Sequence, residues 1–384
     1  MEPVAITEDK LETGLRGVPA GYCPTSEVDP DKGLSYGGYF IRELAQREPV
    51  EVIYLLLHRQ LPNKTEIADF RKELLRRSTL PAGLEDYLRT LPRQGHPMKW
   101  FASGLLYLGM TGCTGNYRED CLNLIAWAPE LAAKVIAVHQ GRAPAPARPE
   151  LGYMENFVHI LNPDADRGRL TRLMRVFDVL HFDHDGGNLS TFTGKAVASG
   201  LEDMYGSITA AMLGLAGPRH GMANQECLDF IMKLHEELKG RGDDEAGMRR
   251  ILETRYANKD LIYGFGHAVL RVEDPRAAVL FELGEELCPA DPYFRTAQTL
   301  RKVGTAFLKT KDKISDPYVN VDAASGALLH ACGLKEQRYY TVLFGLSRVV
   351  GISIQIVYER LEARGGKGTP IMRPRYLYSG PVRG

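Results

Sequence analysis

The chain has 384 residues, of which 44% are hydrophobic, and this length allows two domains and a large buried core. Lys plus Arg and Asp plus Glu number 48 each, so the net charge is zero and bulk attraction to nucleic acid is not indicated. The 6 cysteines form no C-x-x-C pair and no zinc spacing with histidine, which is typical of small buried apolar residues in a reducing compartment.

The beginning of the chain is acidic and polar. Residues 1–10 lack the apolar segment of a signal peptide and the arginines of a transit peptide, so we expect a cytoplasmic protein. The stretch from Ile6 to Tyr39 suggests short strands and turns, and alternating strand patterns are scarce after it.

Apolar residues at helical spacing dominate the rest of the chain, so the predicted fold class is mainly α. Val50 to Arg59 is apolar at this spacing and is stopped by Pro62. Thr65 to Arg76 is predicted to carry on one side the residues Ile67, Phe70, Leu74 and Leu75. Later helices are predicted at Asn224 to Lys239, Ala277 to Leu287 and Thr296 to Lys309.

Two stretches interrupt the helical pattern. Residues 141–149 (G-R-A-P-A-P-A-R-P) are too rich in proline for a helix and predict a surface connection or a lid-like loop. Lys239 to Glu245 predicts a polar loop between helices.

The most apolar stretch, Tyr339 to Tyr358, is about as long as a membrane-spanning helix. Arg348 would lie near its middle at a cost of about 2.5–3.5 kcal/mol, and Gln355 would add to that cost. We therefore predict a buried core helix and no membrane partner.

Three segments of the second half place a proton-handling side chain beside glycine or a predicted helix start. They contain His220 (G-P-R-H-G), His267 (G-F-G-H) and Asp322 (V-N-V-D). Two histidines and one aspartate can remove one proton and polarise two carbonyls, which suits carbon–carbon bond formation through an enol. On local sequence alone, His220 also fits a structural histidine that bonds its own turn, and Asp322 fits a helix N-cap.

Other ligand motifs are weak. His181 and His184 have an H-x-x-H spacing without a third ligand, so no metal is expected. Residues 187–195 resemble a phosphate loop, but Ala196 stands where a magnesium-binding Ser or Thr is needed.

Several motifs in the right order resemble the citrate synthase family. The likeness is strong over residues 181–375, where its motifs are H-F-D-H-D-G-G-N, A-G-P-R-H-G-M-A-N-Q-E, Y-Y-T-V-L-F-G-L-S-R and M-R-P-R. It is weaker at G-L-R-G (14–17) and over 28–39. The resemblance implies a large helical domain (1–221 and 335–384) with an inserted smaller helical domain (222–334), and a cleft between them.

The resemblance also implies an activity. The chain would condense acetyl-CoA with oxaloacetate and hydrolyse citryl-CoA, as in the tricarboxylic acid cycle. Coenzyme A would be a thioester substrate, with no tightly bound cofactor, and a homodimer would share its active sites. The alternatives are a 2-methylcitrate synthase that uses propionyl-CoA, since one methylene is worth only about 1–3 kcal/mol, and a noncatalytic acyl-CoA or dicarboxylate-binding dimer.

Residue roles follow from the same resemblance. Asp322 would remove a methyl proton from the thioester, His220 would donate to the thioester oxygen, and His267 would polarise the oxo-acid carbonyl. The oxo acid would be held by His184, Asn188, Arg276, Arg348 and the partner-directed Arg373. Coenzyme A would lie over Gly264, Gly266, Arg271 and Asn320. Arg219 is added because its positive charge beside His220 is expected to attract a coenzyme A phosphate.

Some positions depart from the family pattern or have local alternatives. Arg219 stands where an apolar residue is usual, and Tyr263 stands where many relatives have proline. Arg276 in D-P-R could instead pair with Asp274 on the surface, whereas Arg348 lies in an apolar helix where an unpaired charge would be costly.

Overall fold

The computed structural model describes residues 7–162 and 167–380, and helices dominate this part of the chain. An antiparallel sheet near the beginning has the order β1-β2-β3. Its strands are β1 (Ser26–Asp29), β2 (Gly33–Tyr36) and β3 (Tyr39–Phe40). The mainly α class and the short strands before residue 40 are therefore confirmed, while Ile6 lies outside the described residues.

The first helices surround the apolar helix α7. Their bounds are α1 (Glu8–Glu12), α2 (Ile41–Leu44), α3 (Pro49–His58), α4 (Lys64–Arg77), α5 (Leu84–Thr90), α6 (Pro97–Gly112), α7 (Tyr117–His139), α8 (Tyr153–Leu161) and α9 (Arg167–His181). The proline-rich stretch 141–149 contains no helix, as predicted.

The later helices include all those predicted in the second half. Their bounds are α10 (Leu189–Ser199), α11 (Met204–Leu215), α12 (Ala223–Glu237), α13 (Glu245–Asn258), α14 (Pro275–Leu287), α15 (Pro292–Leu308), α16 (Asp322–Ala331) and α17 (Tyr340–Val357). A short 3-10 turn (Gln337–Tyr339) precedes α17, and a π turn (Tyr358–Glu362) follows it.

The start of α4 shows how local sequence sets a helix boundary. The Asn63 side chain accepts from the Glu66 N–H (3.0 Å), and the Glu66 carboxylate accepts from the Asn63 N–H (2.7 Å). This capping box satisfies two backbone donors at once. Phe70 and Leu74 are buried as predicted, but Leu75 is 46% exposed, so the predicted apolar side is too wide.

The core contains two helices apolar enough to cross a membrane, α7 and the stretch around α17. Their most apolar windows are 78% and 94% buried within the protein. Arg348 is only 1% exposed in the middle of α17. The prediction of a buried core helix over this stretch is confirmed.

The helices between residues 223 and 331 pack mainly on one another: α16 lies against α12, α14 and α15. However, α14 also contacts α2 and α9 from the other part of the chain. The division into domains at residues 222 and 334 stays a prediction.

Candidate active site

The loop between α9 and α10 is held against the core helix α17. Arg348 Nε donates to the carbonyl of His181 over 2.9 Å. A Cβ at Gly351 would meet the Phe182 carbonyl oxygen at 2.3 Å, so a glycine there allows the helix and the loop to touch. Helix α17 therefore fixes the loop that carries His184.

His184 is buried, and its ring centroid lies 5.2 Å from that of His267. Burial, followed by the charges of Arg276 and Arg348, lowers the pKa of His184 well below its usual range, so its imidazole is neutral at pH 7. Among the residues that the structure describes, nothing hydrogen-bonds to the buried Nε2 of His184. A buried polar atom of this kind is normally satisfied by a ligand or a water.

Asn188 caps α10, and both ends of its amide are engaged within the chain. Its Oδ1 accepts from the Ser190 hydroxyl (2.9 Å), and its Nδ2 donates to the His184 carbonyl (2.8 Å). Ser190 Oγ also lies 3.0 Å from His220 Nε2. Asn188 thus supports His184 and His220 from behind the cleft.

His220 lies in the turn between α11 and α12. Burial, and then the charge of Arg348, lowers the pKa of His220 to about 4. The His220 ring is therefore neutral at pH 7, and burial is the main cause. Phe344 lies near both His220 and Arg348: its ring centroid lies 6.2 Å from that of the His220 ring and 4.8 Å from the Arg348 guanidinium carbon.

The loop before His267 requires glycine at two positions. Gly264 and Gly266 have φ angles of 85° and 81°, in the left-handed region that favours glycine. Asn320 Nδ2 donates to the Gly266 carbonyl (3.0 Å), and its backbone N–H donates to the Gly264 carbonyl (3.0 Å). The loop is thereby tied to the segment that leads into Asp322.

Two backbone N–H groups fix the proton on His267. Its Nδ1 accepts from Val269 N (3.0 Å) and Leu270 N (2.9 Å), so the proton of the neutral ring lies on Nε2. Burial, and then the charge of Arg276, lowers the pKa of His267 to about 4. His267 therefore presents an N–H donor rather than a cation.

Asp322 is the first residue of α16, and the N-cap position is Val321. The alternative that Asp322 caps this helix is wrong; instead, Asn320 Oδ1 accepts from the Asp322 N–H (3.1 Å). Burial raises the pKa of Asp322 to about 6, and Arg276 partly opposes this shift. The Asp322 carboxyl group therefore does not cap the helix, and its pKa lies near 6.

Arg276 forms a two-point ion pair with Asp274, with distances of 3.0 and 2.7 Å. The two residues do pair, as the alternative supposed, but they do not pair on the surface, because Arg276 and Asp274 are only 4% and 1% exposed. Burial alone would lower the pKa of Arg276, but Asp274 raises it overall. Burial lowers the pKa of Arg348 to about 10, so both arginines are cations at pH 7.

The other predicted arginines are exposed. Arg271 lies beside the glycine loop and donates to the Leu270 carbonyl (2.6 Å), and Arg219 precedes His220 at the surface. Arg373 follows Met372, whose N–H donates to Ser199 Oγ (2.9 Å) at the far end of α10. Because α10 has 11 residues, it separates Ser199 from the His184 loop by roughly 16 Å.

Sequence reasoning missed two contributors to this site, Ser190 and Phe344, and it named Asp274 only as a surface partner of Arg276. A signal existed for Ser190, because it follows the helix cap Asn188 closely. Nothing local marks Phe344. Within residues 7–162 and 167–380, no three His, Cys, Asp or Glu side chains are grouped to hold a metal ion.

Comparison with known proteins links this geometry to a family. A family model described as "Citrate synthase, C-terminal domain" matches residues 14–375. "Citrate synthase 4, mitochondrial" of Arabidopsis thaliana is 37% identical over 380 residues, covering 92% of this chain and 80% of the relative. "Citrate synthase, mitochondrial" of Citrus maxima is 36% identical, covering 96% of this chain and 82% of the relative.

Solved structures share the fold. Citrate synthase from Thermotoga maritima has a TM-score of 0.83 at 26% identity, covering 97% of this chain and 96% of that one. A Thermoplasma acidophilum citrate synthase, solved as a ternary complex with carboxymethyl coenzyme A and oxaloacetate, has a TM-score of 0.85 at 24% identity, covering 97% of both chains. At that identity the second likeness shows the fold alone.

Proposed function

Because this chain belongs to the citrate synthase family, we propose that it condenses acetyl-CoA with oxaloacetate and hydrolyses the resulting citryl-CoA to citrate and coenzyme A. The main support is the pairing of two neutral histidines with one carboxyl group whose pKa is about 6. Coenzyme A enters as a thioester substrate and leaves as a thiol, so no tightly bound cofactor takes part.

In the first step, the ionised Asp322 removes a proton from the methyl group of acetyl-CoA. A carboxylate is a weak base for a carbon acid, so the oxygen of the forming enol needs stabilisation at the same moment. His220 supplies it: the Ser190 backbone N–H donates to Nε2 (3.4 Å), so the ring proton lies on Nδ1 and can be donated to the thioester oxygen.

In the second step, the enol carbon attacks the ketone carbon of oxaloacetate. His267 Nε2–H polarises the ketone oxygen and protonates it as the carbon–carbon bond forms. Water then hydrolyses the citryl thioester, which releases citrate and the thiol. The cations Arg276 and Arg348 bind the oxaloacetate carboxylates, and the unpartnered His184 Nε2 adds a polar contact.

For coenzyme A we propose a position over Gly264 and Gly266, with Arg271 and Arg219 near the phosphates. Both arginines are exposed beside the cleft, which suits contact with a charged, partly solvated group. Asn320 uses its amide within the chain, so its contribution to this subsite is to shape the glycine loop.

A thiol-release assay tests the activity. Purified protein is given oxaloacetate with acetyl-, propionyl- or butyryl-CoA, and we expect the highest kcat/KM with acetyl-CoA. A higher value with propionyl-CoA would identify a 2-methylcitrate synthase, and no thiol release with any of the three would reject the proposed activity.

We further propose a homodimer with shared active sites. The packed helices α6 and α11 leave apolar side chains exposed, namely Leu106 (45%), Met110 (69%) and Leu213 (53%), which suits a symmetric interface. Arg373 is tethered beyond the far end of α10, so we propose that it reaches the partner's site.

Subunit mixing tests this arrangement. Arg373→Ala and Arg348→Ala subunits, each inactive alone, should recover roughly a quarter of wild-type activity when mixed, because half of the dimers are mixed and each has one intact site. No recovery, with subunit exchange confirmed by native mass spectrometry, would place Arg373 in its own subunit's site or in none.

The compartment is a separate proposal. The names of the plant relatives include the word mitochondrial, and the cytoplasm is the alternative that we propose for this chain. All 6 cysteines are free, which suits either compartment. We propose a cytoplasmic enzyme that supplies citrate to the tricarboxylic acid cycle, and cell fractionation with an activity assay would contradict this if the activity were enclosed in an organelle.

A further inference from the structure

A buried carboxyl group belongs to the loop that carries His184, one residue before that histidine. Asp183 is fully buried, and both of its oxygens are occupied. Oδ1 accepts from the His184 N–H (2.9 Å) and from Gln355 Nε2 (2.8 Å), and Oδ2 accepts from the Thr25 hydroxyl (2.5 Å). Three donors from three parts of the chain therefore hold this side chain in one orientation.

The orientation of Gln355 is fixed by a buried cation. Lys195 Nζ can only donate, and it lies 3.2 Å from Gln355 Oε1 and 3.0 Å from Glu359 Oε1. The Gln355 oxygen must therefore face Lys195, which turns its NH₂ group towards Asp183 and the Asp185 carbonyl (3.0 Å). The Lys195–Glu359 ion pair thus determines which end of the amide meets Asp183.

Residues of the sheet near the beginning of the chain also form hydrogen bonds with the backbone of this loop. The Tyr36 hydroxyl donates to the Asp183 carbonyl (3.0 Å) and accepts from the Asp183 N–H (3.1 Å). Ser26 Oγ accepts from the Asp185 N–H (2.8 Å). The peptide groups before and after His184 are therefore held by residues far away in sequence.

We propose that Asp183 is a positioning residue which, held by Thr25 and Gln355, aims the His184 ring into the cleft and so sets the affinity for the oxo acid. Its carboxyl oxygen accepts from the His184 N–H, and Asn188 Nδ2 donates to the His184 carbonyl. The backbone N–H and carbonyl of His184 are therefore both fixed. This inference rests on the proposed function for the identity of the ligand as oxaloacetate. A displacement of about 1 Å in a binding group can cost about 10²-fold in rate, so a support of this kind has a measurable effect.

Thr25 offers the sharpest test, because it is buried, contacts Asp183 and is not one of the predicted substrate-binding residues. Thr25→Val keeps the shape but removes the hydroxyl donor, whereas Thr25→Ser keeps the donor. We expect Thr25→Val to raise KM for oxaloacetate roughly tenfold and to leave KM for acetyl-CoA within about twofold, on the scale of a lost hydrogen bond to a charged group. Thr25→Ser should behave like the wild type.

Three further variants complete the experiment. Asp183→Asn can still accept from His184 N–H and Gln355 through its oxygen and donate to Thr25 through its nitrogen, so it should retain much more oxaloacetate affinity than Asp183→Ala. Gln355→Leu should act like Thr25→Val. Ser353→Ala is the matched control, because Ser353 is equally buried on α17 but its hydroxyl bonds the Val349 carbonyl of its own helix (2.6 Å).

Each variant is checked by thermal unfolding, and the Kd for oxaloacetate is measured by calorimetry without acetyl-CoA. The proposal is overturned if folded Thr25→Val and Gln355→Leu bind oxaloacetate like the wild type, or if both KM values rise equally. If Thr25→Val and Gln355→Leu do not fold, the Asp183→Asn variant decides. An oxaloacetate affinity like that of the wild type supports the proposal, and an affinity as poor as that of Asp183→Ala rejects it. Wild-type protein that binds no oxaloacetate would instead reject the proposed function.

Discussion

Two carboxyl groups, the half-buried Asp322 and the fully buried Asp178, both have a raised pKa in different surroundings. Burial raises the pKa of Asp322 to about 6 and that of Asp178 to about 7. Asp322 begins a helix beside the cation Arg276 and the His267 loop, whereas Asp178 lies on α9 against the core helix α17. Neither oxygen of Asp178 has a hydrogen-bond partner among the residues that the structure describes.

The comparison of Asp322 with Asp178 shows that a raised pKa does not by itself identify a catalytic base. Ser347, whose hydroxyl lowers the Asp178 pKa, also donates to the Leu343 carbonyl of its own helix (3.3 Å). The hydroxyls of Ser347 and Tyr153 lie near Asp178, and neither belongs to the candidate site. Asp322 lies near the cation Arg276 and beside Asn320, which holds the His267 loop, so surroundings rather than acidity distinguish the two groups.

The largest expected effect is on turnover. Asp322→Asn should lower kcat by about 10²–10⁴-fold, because the amide cannot accept the methyl proton. Asp178→Asn should change kcat by less than about twofold, since it meets no substrate in this geometry. Thiol release measured on both purified variants checks this, and near-normal turnover by Asp322→Asn would remove Asp322 from the base role.

The pH profile separates the two groups in a second way. A base must be ionised, so kcat/KM should fall about tenfold per pH unit below the Asp322 pKa of about 6. Asp178→Asn should leave this acidic limb in place, although Asp178 titrates nearby. A limb that moves or disappears in Asp178→Asn would show that the core carboxyl contributes to the reaction.

The smallest expected effect is on stability. The pKa of Asp178 is raised from 3.8 to about 7 by folding, so the folded state holds the proton more tightly and the protein loses unfolding free energy as pH rises from about 4 to about 7. The loss amounts to roughly 4 kcal/mol if the whole shift is expressed. Asp178→Asn should remove this dependence, measured by urea unfolding at pH 5 and pH 8; an unchanged difference between the two pH values would contradict it.

Sequence patterns predicted the helices well, because apolar spacing and caps such as Asn63 act within a few residues. They also singled out His220, His267 and Asp322, whose catalytic roles stay a prediction. Local reasoning failed where the outcome depends on distant partners: it favoured an N-cap for Asp322, but Asn320 and the packing of α16 leave that carboxyl uncapped.

The sequence by itself determined the mainly α class, the buried helix around Arg348 and the family, since these depend on residue order and on periodicities along the chain. Only the tertiary structure decided the protonation states, because they depend on burial and on charges from remote segments: Arg276 acts on both His267 and Asp322. It also decided that the support of His184 comes from Thr25 and Gln355, which lie 158 and 172 residues from Asp183. No local pattern can predict contacts over such separations, because they form only when the chain has folded.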